Sequence, residues 1–310
     1  MKDNASDKPP KAMSLQEFQD WIPDEAAAVK YFEGTRWNGT PVCPHCKSEN
    51  VARIESGKPM PFRCRDCREH FSVKHGTVMQ SSKIGVRTWL TAMYFMSVAK
   101  KGVSSCQMAR QLGIKQDTAW FLQQRIRESW NQERFLVDGE VEMDETYIGG
   151  KEKNKHYSKR LHAGRGGVGK TMVVGLKQRN GKMFAVVAKA ASKEVLHEII
   201  DQRIAPTATL YTDEHRGYIG APVKHHYAVK HSAGEYVNGN ASTNGVESFW
   251  ALLKRGYYGT FHNMTVKHLP RYVDEFATRQ NSLALTTEEQ IKATLTGAVG
   301  RTMPYKKLIQ

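Results

Sequence analysis

The chain has 310 residues, longer than one typical domain, and carries 46 lysines and arginines against 31 acids, a formal net charge of +15. That length excludes a disulfide-stapled mini-protein, and no apolar run approaches the roughly 20 residues a membrane-crossing helix requires. The basic surplus favours a polyanionic partner, nucleic acid ahead of membrane, and the polar stretch Met1 to Lys11 sets the expectation of a cytoplasmic, reducing compartment.

In chain order, a tail and helical base occupy 1–36. Leu15, Phe18 and Trp21 recur at helical spacing after Ser14, and a second helix runs from Asp24 to about Phe32. Over 37–80, Cys43-Pro-His-Cys46 and Cys64-Arg-Asp-Cys67 form two C-x2-C knuckles 17 residues apart, the spacing of a four-cysteine zinc site. Each knuckle turns two thiolates toward one ion, and four protein ligands leave no open position for chemistry, so this single zinc is structural. Short strands at Val51–Ile54 and within Pro61–Phe71 flank a Gly57-Lys58-Pro59 turn, which makes the module a zinc ribbon. His45, His70 and His75 lie near enough to be alternative ligands but are read as solvated or packed. Cys106 stands apart and is expected to be a small buried hydrophobe.

From 84 to 131 the period is helical: Val86–Lys100, Ser104–Leu112 and Gln116–Trp130, the last two joined at Gly113-Ile114. A short glycine-bearing turn between helices resembles a helix-turn-helix, whose second helix would offer Lys115, Gln116, Gln123, Gln124 and Arg127 to DNA. Three-helix clusters also serve as plain packing modules.

Beyond residue 138 strands and helices mix. Glu140–Ile148, Thr171–Gln178 and Met183–Lys189 are predicted strands, the last two around an Arg179-Asn180-Gly181 turn. Lys193–Ile204 is a helix, Ala208–Thr212 a strand, His226–Lys230 a further strand, and Thr243–Lys254 a helix. This order is that of an α/β, RNase H-like core over 138–285, and 286–310 is expected to be a C-terminal tail. Gly164 to Thr171 satisfies the literal G-x-x-x-x-G-K-[ST] pattern, but a nucleotide-binding loop must follow a strand and open a helix, so no nucleotide cofactor is expected. A basic, phosphate-tracking loop holding Lys159, Arg160, Arg165 and Lys170 is the preferred reading.

Three acids carry the chemistry. Alternation puts Glu142, Asp144 and Thr146 on one strand face; Asp213 ends a strand; and Glu247 flanks the helical stripe Val246, Phe249, Trp250, Leu253. Converging carboxylates repel one another and are most simply neutralised by divalent metal, and oxygen-only donors suit Mg²⁺ or Mn²⁺, two ions for in-line phosphoryl transfer. Glu142, Glu145 and Glu214 are local competitors that spacing does not dismiss.

The stretches VEMDETYIGGK from Val141, LYTDEHRGY from Leu210, HSAGEYV from His231 and STNGVESFWALLKRGYYGTFHNM from Ser242, continued by KHLPRYVDEFATRQN from Lys267, resemble the zinc-ribbon DDE transposases of bacterial insertion sequences, the ISXO2-like family. The resemblance spans roughly 14 to 285. It implies that Asp144, Asp213 and Glu247 are the catalytic triad, that the protein binds inverted-repeat DNA ends, cleaves strands and joins a 3′ hydroxyl to target DNA, and that it acts as a homodimer or larger assembly on double-stranded DNA. Lys254 and Arg255, two turns beyond Glu247, are further expected DNA contacts, in a nucleoid setting and without any membrane partner. A transposase-derived DNA-binding protein, or a nuclease that cuts without joining, would share these features.

Overall fold

The computed structural model describes residues 10–130, 136–161, 167–228 and 243–309. The chain forms two compact units, Met1–Trp130 with Leu283–Gln310, and Asn131–Ser282.

In the first unit, α1 (Leu15–Trp21) begins at a capping box in which Ser14 and Glu17 satisfy each other's backbone N–H, and α2 (Glu25–Trp37) begins at Asp24, whose carboxylate accepts from Ala27 N. A three-stranded antiparallel sheet follows, β1 (Val51–Arg53), β2 (Phe62–Cys64) and β3 (His70–Phe71). The two cysteine knuckles repeat one geometry. Cys43 N donates to Ser48 O and Cys64 N to Glu69 O, and the residue after each second cysteine, Lys47 and Arg68, has a left-handed backbone with φ of 66° and 65°. The four sulfur atoms lie within 4.8 Å of one another, with Cys43–Cys67 and Cys46–Cys64 at 3.6 Å. Zn–S bonds of ~2.3 Å set tetrahedral S–S edges of about 3.8 Å, so the donor set fits a structural zinc. Phe62 and Phe71 stack beneath the knuckles, with Trp37 edge-on to both.

Next come α3 (Val86–Val98), α4 (Ser105–Leu112) and α5 (Gln116–Ser129), with Gly113 supplying the left-handed end of α4. The expected DNA face of α5 needs correction. Ala119, Leu122, Gln123, Ile126 and Arg127 follow the i, i+3, i+4, i+7, i+8 stripe of a core-facing helix, and all are buried. Gln123 Nε2 donates to Val103 O at 2.9 Å, Gln124 is buried too, and Arg127 is 1% exposed. Of the sequence-predicted contacts on α5, only those at its start, Lys115 and Gln116, are exposed. Cys106, expected inside, is exposed.

The segment expected as a tail is a core element. α9 (Thr287–Ala298) starts at a second capping box, Thr286 with Glu289, and buries Ile291, Leu295 and Ala298 in the same cluster as Trp89, Leu90 and Leu122. Trp130 Nε1 donates to Thr294 Oγ1 at 2.8 Å, and a Cβ at Gly297 would meet Ser129 O at 2.3 Å, so glycine permits the close approach of α9 to the end of α5. A short α10 (Tyr305–Ile309) closes the chain.

The second unit is a five-stranded mixed sheet of order β6-β5-β4-β7-β8. Its strands are β4 (Glu140–Ile148), β5 (Thr171–Gln178), β6 (Met183–Ala188), β7 (Thr209–Thr212) and β8 (His225–Ala228). β4, β5 and β6 pair antiparallel, whereas β4–β7 and β7–β8 are parallel. One face packs α6 (Lys193–Arg203) through Leu196 and Ile200 on Val141, Met143, Val174 and Leu176. The other packs α7 (Asn244–Gly256) and α8 (Leu269–Asn281) on Ile148, Val173 and Met183. Val246, Phe249, Trp250 and Leu253 are buried there, as their spacing requires. Asn281 exchanges two hydrogen bonds with the Met183 backbone on edge strand β6. The chain is thus an RNase H-like α/β core preceded by a zinc ribbon. Among the described residues no helix is long and apolar enough to cross a membrane.

Two outcomes follow. Replacing Cys43 and Cys64 together by serine removes bound zinc, read as metal content of the purified protein, and unfolds the ribbon; retention of one zinc per chain would refute the site. Leu295→Ala costs about 2–5 kcal/mol in urea unfolding, whereas a tail position would change stability by less than about 0.5 kcal/mol.

Candidate functional site

The site is built on the parallel pairing of β4 with β7. Glu140 is opposite Thr209, Val141 opposite Leu210 and Glu142 opposite Tyr211. Carried on by two residues, that register brings Asp213, the first residue past β7, level with Asp144 on the neighbouring strand, and paired strands lie about 4.8 Å apart. Asp213 Oδ1 accepts the His215 N–H at 3.0 Å, turning the chain as it leaves the sheet.

Asp144 is half-buried, and its Oδ2 accepts the indole N–H of Trp250 at 2.9 Å. Gly175 lies across from it on β5, and a Cβ there would meet the Trp250 ring at 2.8 Å, so the absence of a side chain lets the indole lie over the strand. Burial, then the Glu145 charge and to a lesser extent that of Asp213, push the Asp144 carboxyl up to about 6 against the pull of the Trp250 N–H.

The competing acids separate by their partners. Glu142, 4% exposed, accepts the Gly245 and Val246 N–H groups at 2.8 and 3.2 Å on Oε2 and Arg179 Nε at 3.3 Å on Oε1. Its carboxylate thereby caps the positive N-terminal end of α7. Glu145 points to the α6 face, where the Tyr218 hydroxyl donates to it at 2.5 Å; burial raises its carboxyl, that hydrogen bond opposes the rise, and Asp213 adds to it. Glu214 is exposed.

Glu247 sits on α7 between two fixed points, the N–H groups held by Glu142 and the Trp250 indole held by Asp144, one turn before the latter. Its side chain is exposed and accepts the Thr243 hydroxyl at 2.9 Å. Among the described residues, the four cysteines are the one cluster of three or more possible ligands close enough to share an ion, and Asp144, Asp213 and Glu247 do not form such a cluster. The fold therefore brings Asp144 and Asp213 side by side and carries Glu247 on a helix locked to the same sheet face. The Asp213 charge disfavours the ionised form of Asp144, a repulsion of the kind a divalent cation relieves.

Of the expected DNA contacts in this unit, Lys159, Lys254 and Arg255 are exposed and Lys170 is half-buried; Arg165 lies outside the described residues, as does the stretch His231 to Val237. Arg160 is taken up in building its own turn, its Nε and Nη2 donating to the carbonyls of Lys155 and Lys153, while Glu152 accepts Lys155 Nζ and the Leu161 N–H. Thr171 opens a strand rather than a helix, which removes the phosphate-binding context of the preceding glycines. The helix-capping role of Glu142, the part of Tyr218 and the polar role of Trp250 are not legible in the sequence; the one signal is Trp250 at i+3 from Glu247.

Residues 136–281 match the ISXO2-like transposase domain, and residues 23–70 match the transposase zinc-ribbon domain. The chain is 27% identical over 288 residues to an uncharacterized protein in transposable element ISH50 of Halobacterium salinarum, covering 89% of this chain and 97% of the relative. It is also 26% identical over 112 residues to an uncharacterized transposase-like protein of Haemophilus influenzae, covering 36% of this chain and 89% of the relative. Among solved structures, the crystal structure of the Mos1 strand transfer complex matches at a TM-score of 0.18 with 12% identity, covering 63% of this chain and 76% of that one, a likeness too low to carry argument. The chain thus matches the zinc-ribbon and DDE transposase domains typical of ISXO2-like insertion-sequence transposases.

Proposed function

We propose that this protein binds the inverted-repeat ends of an insertion sequence and catalyses metal-dependent strand cleavage and strand transfer, with Asp144, Asp213 and Glu247 as the acidic triad. The observation carrying this reading is the β4–β7 register, which sets Asp213 beside Asp144, together with the Trp250 N–H that ties the Glu247 helix to the same carboxylate. These three residues would hold two Mg²⁺ or Mn²⁺ ions, which when bound activate an attacking oxygen and stabilise a leaving one. The protein's own groups do the rest. Trp250 orients Asp144, Glu142 holds the start of α7, and the His215 N–H fixes the Asp213 carboxylate at the turn that ends β7. The same donor set serves hydrolysis and joining, because only the nucleophile changes from water to a DNA hydroxyl.

The DNA is double-stranded, and the basic balance of the chain supports binding through phosphate contacts. Exposed Lys115 and Gln116 at the start of α5, Lys159 on the basic turn, and Lys254 and Arg255 at the end of α7 are the proposed contacts, with Lys170 beside them. Two transposon ends require at least two copies of the active core, so the working assembly is a homodimer or larger.

With pre-cleaved transposon-end DNA, target plasmid and Mg²⁺, Asp213→Asn loses covalent joining by at least about a hundredfold while end binding persists. Unchanged joining would exclude the triad, and absence of joined product from the unaltered protein would favour a DNA-binding or purely nucleolytic role. Lys254→Ala with Arg255→Ala weakens binding to all sequences alike and reduces the slope of log affinity against log salt by about 2; an unaltered slope would remove these residues from the interface.

A further inference from the structure

We propose that Tyr218 and Glu145 are positioning residues that hold Asp213 beside Asp144, an inference that rests on the ion-binding reading of those two aspartates. Among the described residues the last paired residue of β7 is Thr212, opposite Ala228, and Asp213 is the first residue beyond the strand. Its place depends on the turn that follows. Asp213 accepts the His215 N–H, His215 Nδ1 accepts the Gly217 N–H at 3.2 Å, and the Tyr218 N–H returns to His215 O at 3.0 Å. Gly217 is packed so closely on α6 that a Cβ would meet Leu196 Cδ1 at 2.7 Å. Tyr218, 1% exposed, then passes its hydroxyl to Glu145 at 2.5 Å.

Glu145 is the peptide neighbour of Asp144, so a closed ring of covalent and hydrogen bonds runs from one aspartate through Glu145, the Tyr218 hydroxyl and the turn back to the other. Burying a carboxylate against two more acids opposes folding, and a hydrophobic side chain at 145 would pack against α6 without that cost. A carboxylate there instead anchors the Asp213 turn from the face opposite the indole that orients Asp144. Partners that orient metal-binding groups commonly matter 10- to 100-fold in affinity.

The test is an electron-paramagnetic-resonance titration of the zinc-loaded full chain with Mn²⁺, without DNA. Four variants are compared: Asp213→Asn, Tyr218→Phe, Glu145→Gln, and Val137→Ala, the last a buried residue of the same core ahead of β4. Tyr218→Phe keeps the ring and removes only the hydroxyl. Expected are loss of the tight Mn²⁺ signal in Asp213→Asn, about 10- to 100-fold weaker binding in Tyr218→Phe and Glu145→Gln, and unaltered affinity with a lowered melting temperature in Val137→Ala. Wild-type affinity in folded Tyr218→Phe, beside loss in Asp213→Asn, overturns the positioning role alone. An equal loss in Val137→Ala overturns it as general destabilisation. Unchanged binding in Asp213→Asn removes the ion site itself and this inference with it.

Discussion

The unit Asn131–Ser282 depends on one backbone constraint, the parallel hydrogen-bonded register between β4 and β7. Strand registers are discrete, and a slip of one residue would turn each side chain to the other face of the sheet. Two acids 69 positions apart therefore meet or miss according to the pairing of three residue pairs that carry no chemistry. The pairing is secured by apolar burial on the α6 face, where Val141 and Leu210, opposite each other in that register, lie in one core with Leu196 and Ile200.

Charge is the opposing force in this unit, and the structure handles it acid by acid. Along β4, Glu140 accepts the Tyr211 hydroxyl, Glu142 takes Arg179 and two helix N–H groups, Asp144 takes an indole N–H, and Glu145 takes a phenol. Among the described residues, Glu142 alone of these acids has both a cation and a helix terminus within reach, and it is the most deeply buried of them. Among the described residues Asp144 has one neutral side-chain donor and two acidic neighbours, and burial with those charges raises its carboxyl, an imbalance of the kind a cation relieves.

The first unit follows a different logic. Its ribbon rests on a small aromatic base of Trp37, Phe62 and Phe71, and a tetrahedral sulfur cage supplies the cohesion that so few apolar residues lack. Its helices bury one continuous cluster, and α5 is enclosed so fully by α3, α4 and α9 that the middle of the helix faces neighbours, leaving its first turn open to a ligand.

Local pattern alone determined a good deal here. Knuckle spacing named the zinc ligands because two short turns suffice to aim four thiolates; the alternation in Glu140–Ile148 was legible because apolar Val141 and Met143 face one side and polar Glu142, Asp144 and Thr146 the other, and the stripe through Val246 and Leu253 because a helix buries one face. The strands, and most helices up to Gly256, fell within a few residues of their places. What failed was whatever depends on the partner of a face. The middle of α5 read as a polar, DNA-facing surface because Gln123 and Arg127 are polar, yet the neighbouring helices cover them. The segment from Thr286 read as a tail because the partner that buries Leu295, the cluster around Leu122, lies more than 160 residues away in the chain. Nor could spacing distinguish Glu142, Asp144 and Glu145, which are chemically alike and nearly adjacent. Only tertiary packing, by setting a helix terminus, an indole and a phenol against them, decided which acid is a clamp, which stands beside Asp213 and which faces the far side of the sheet.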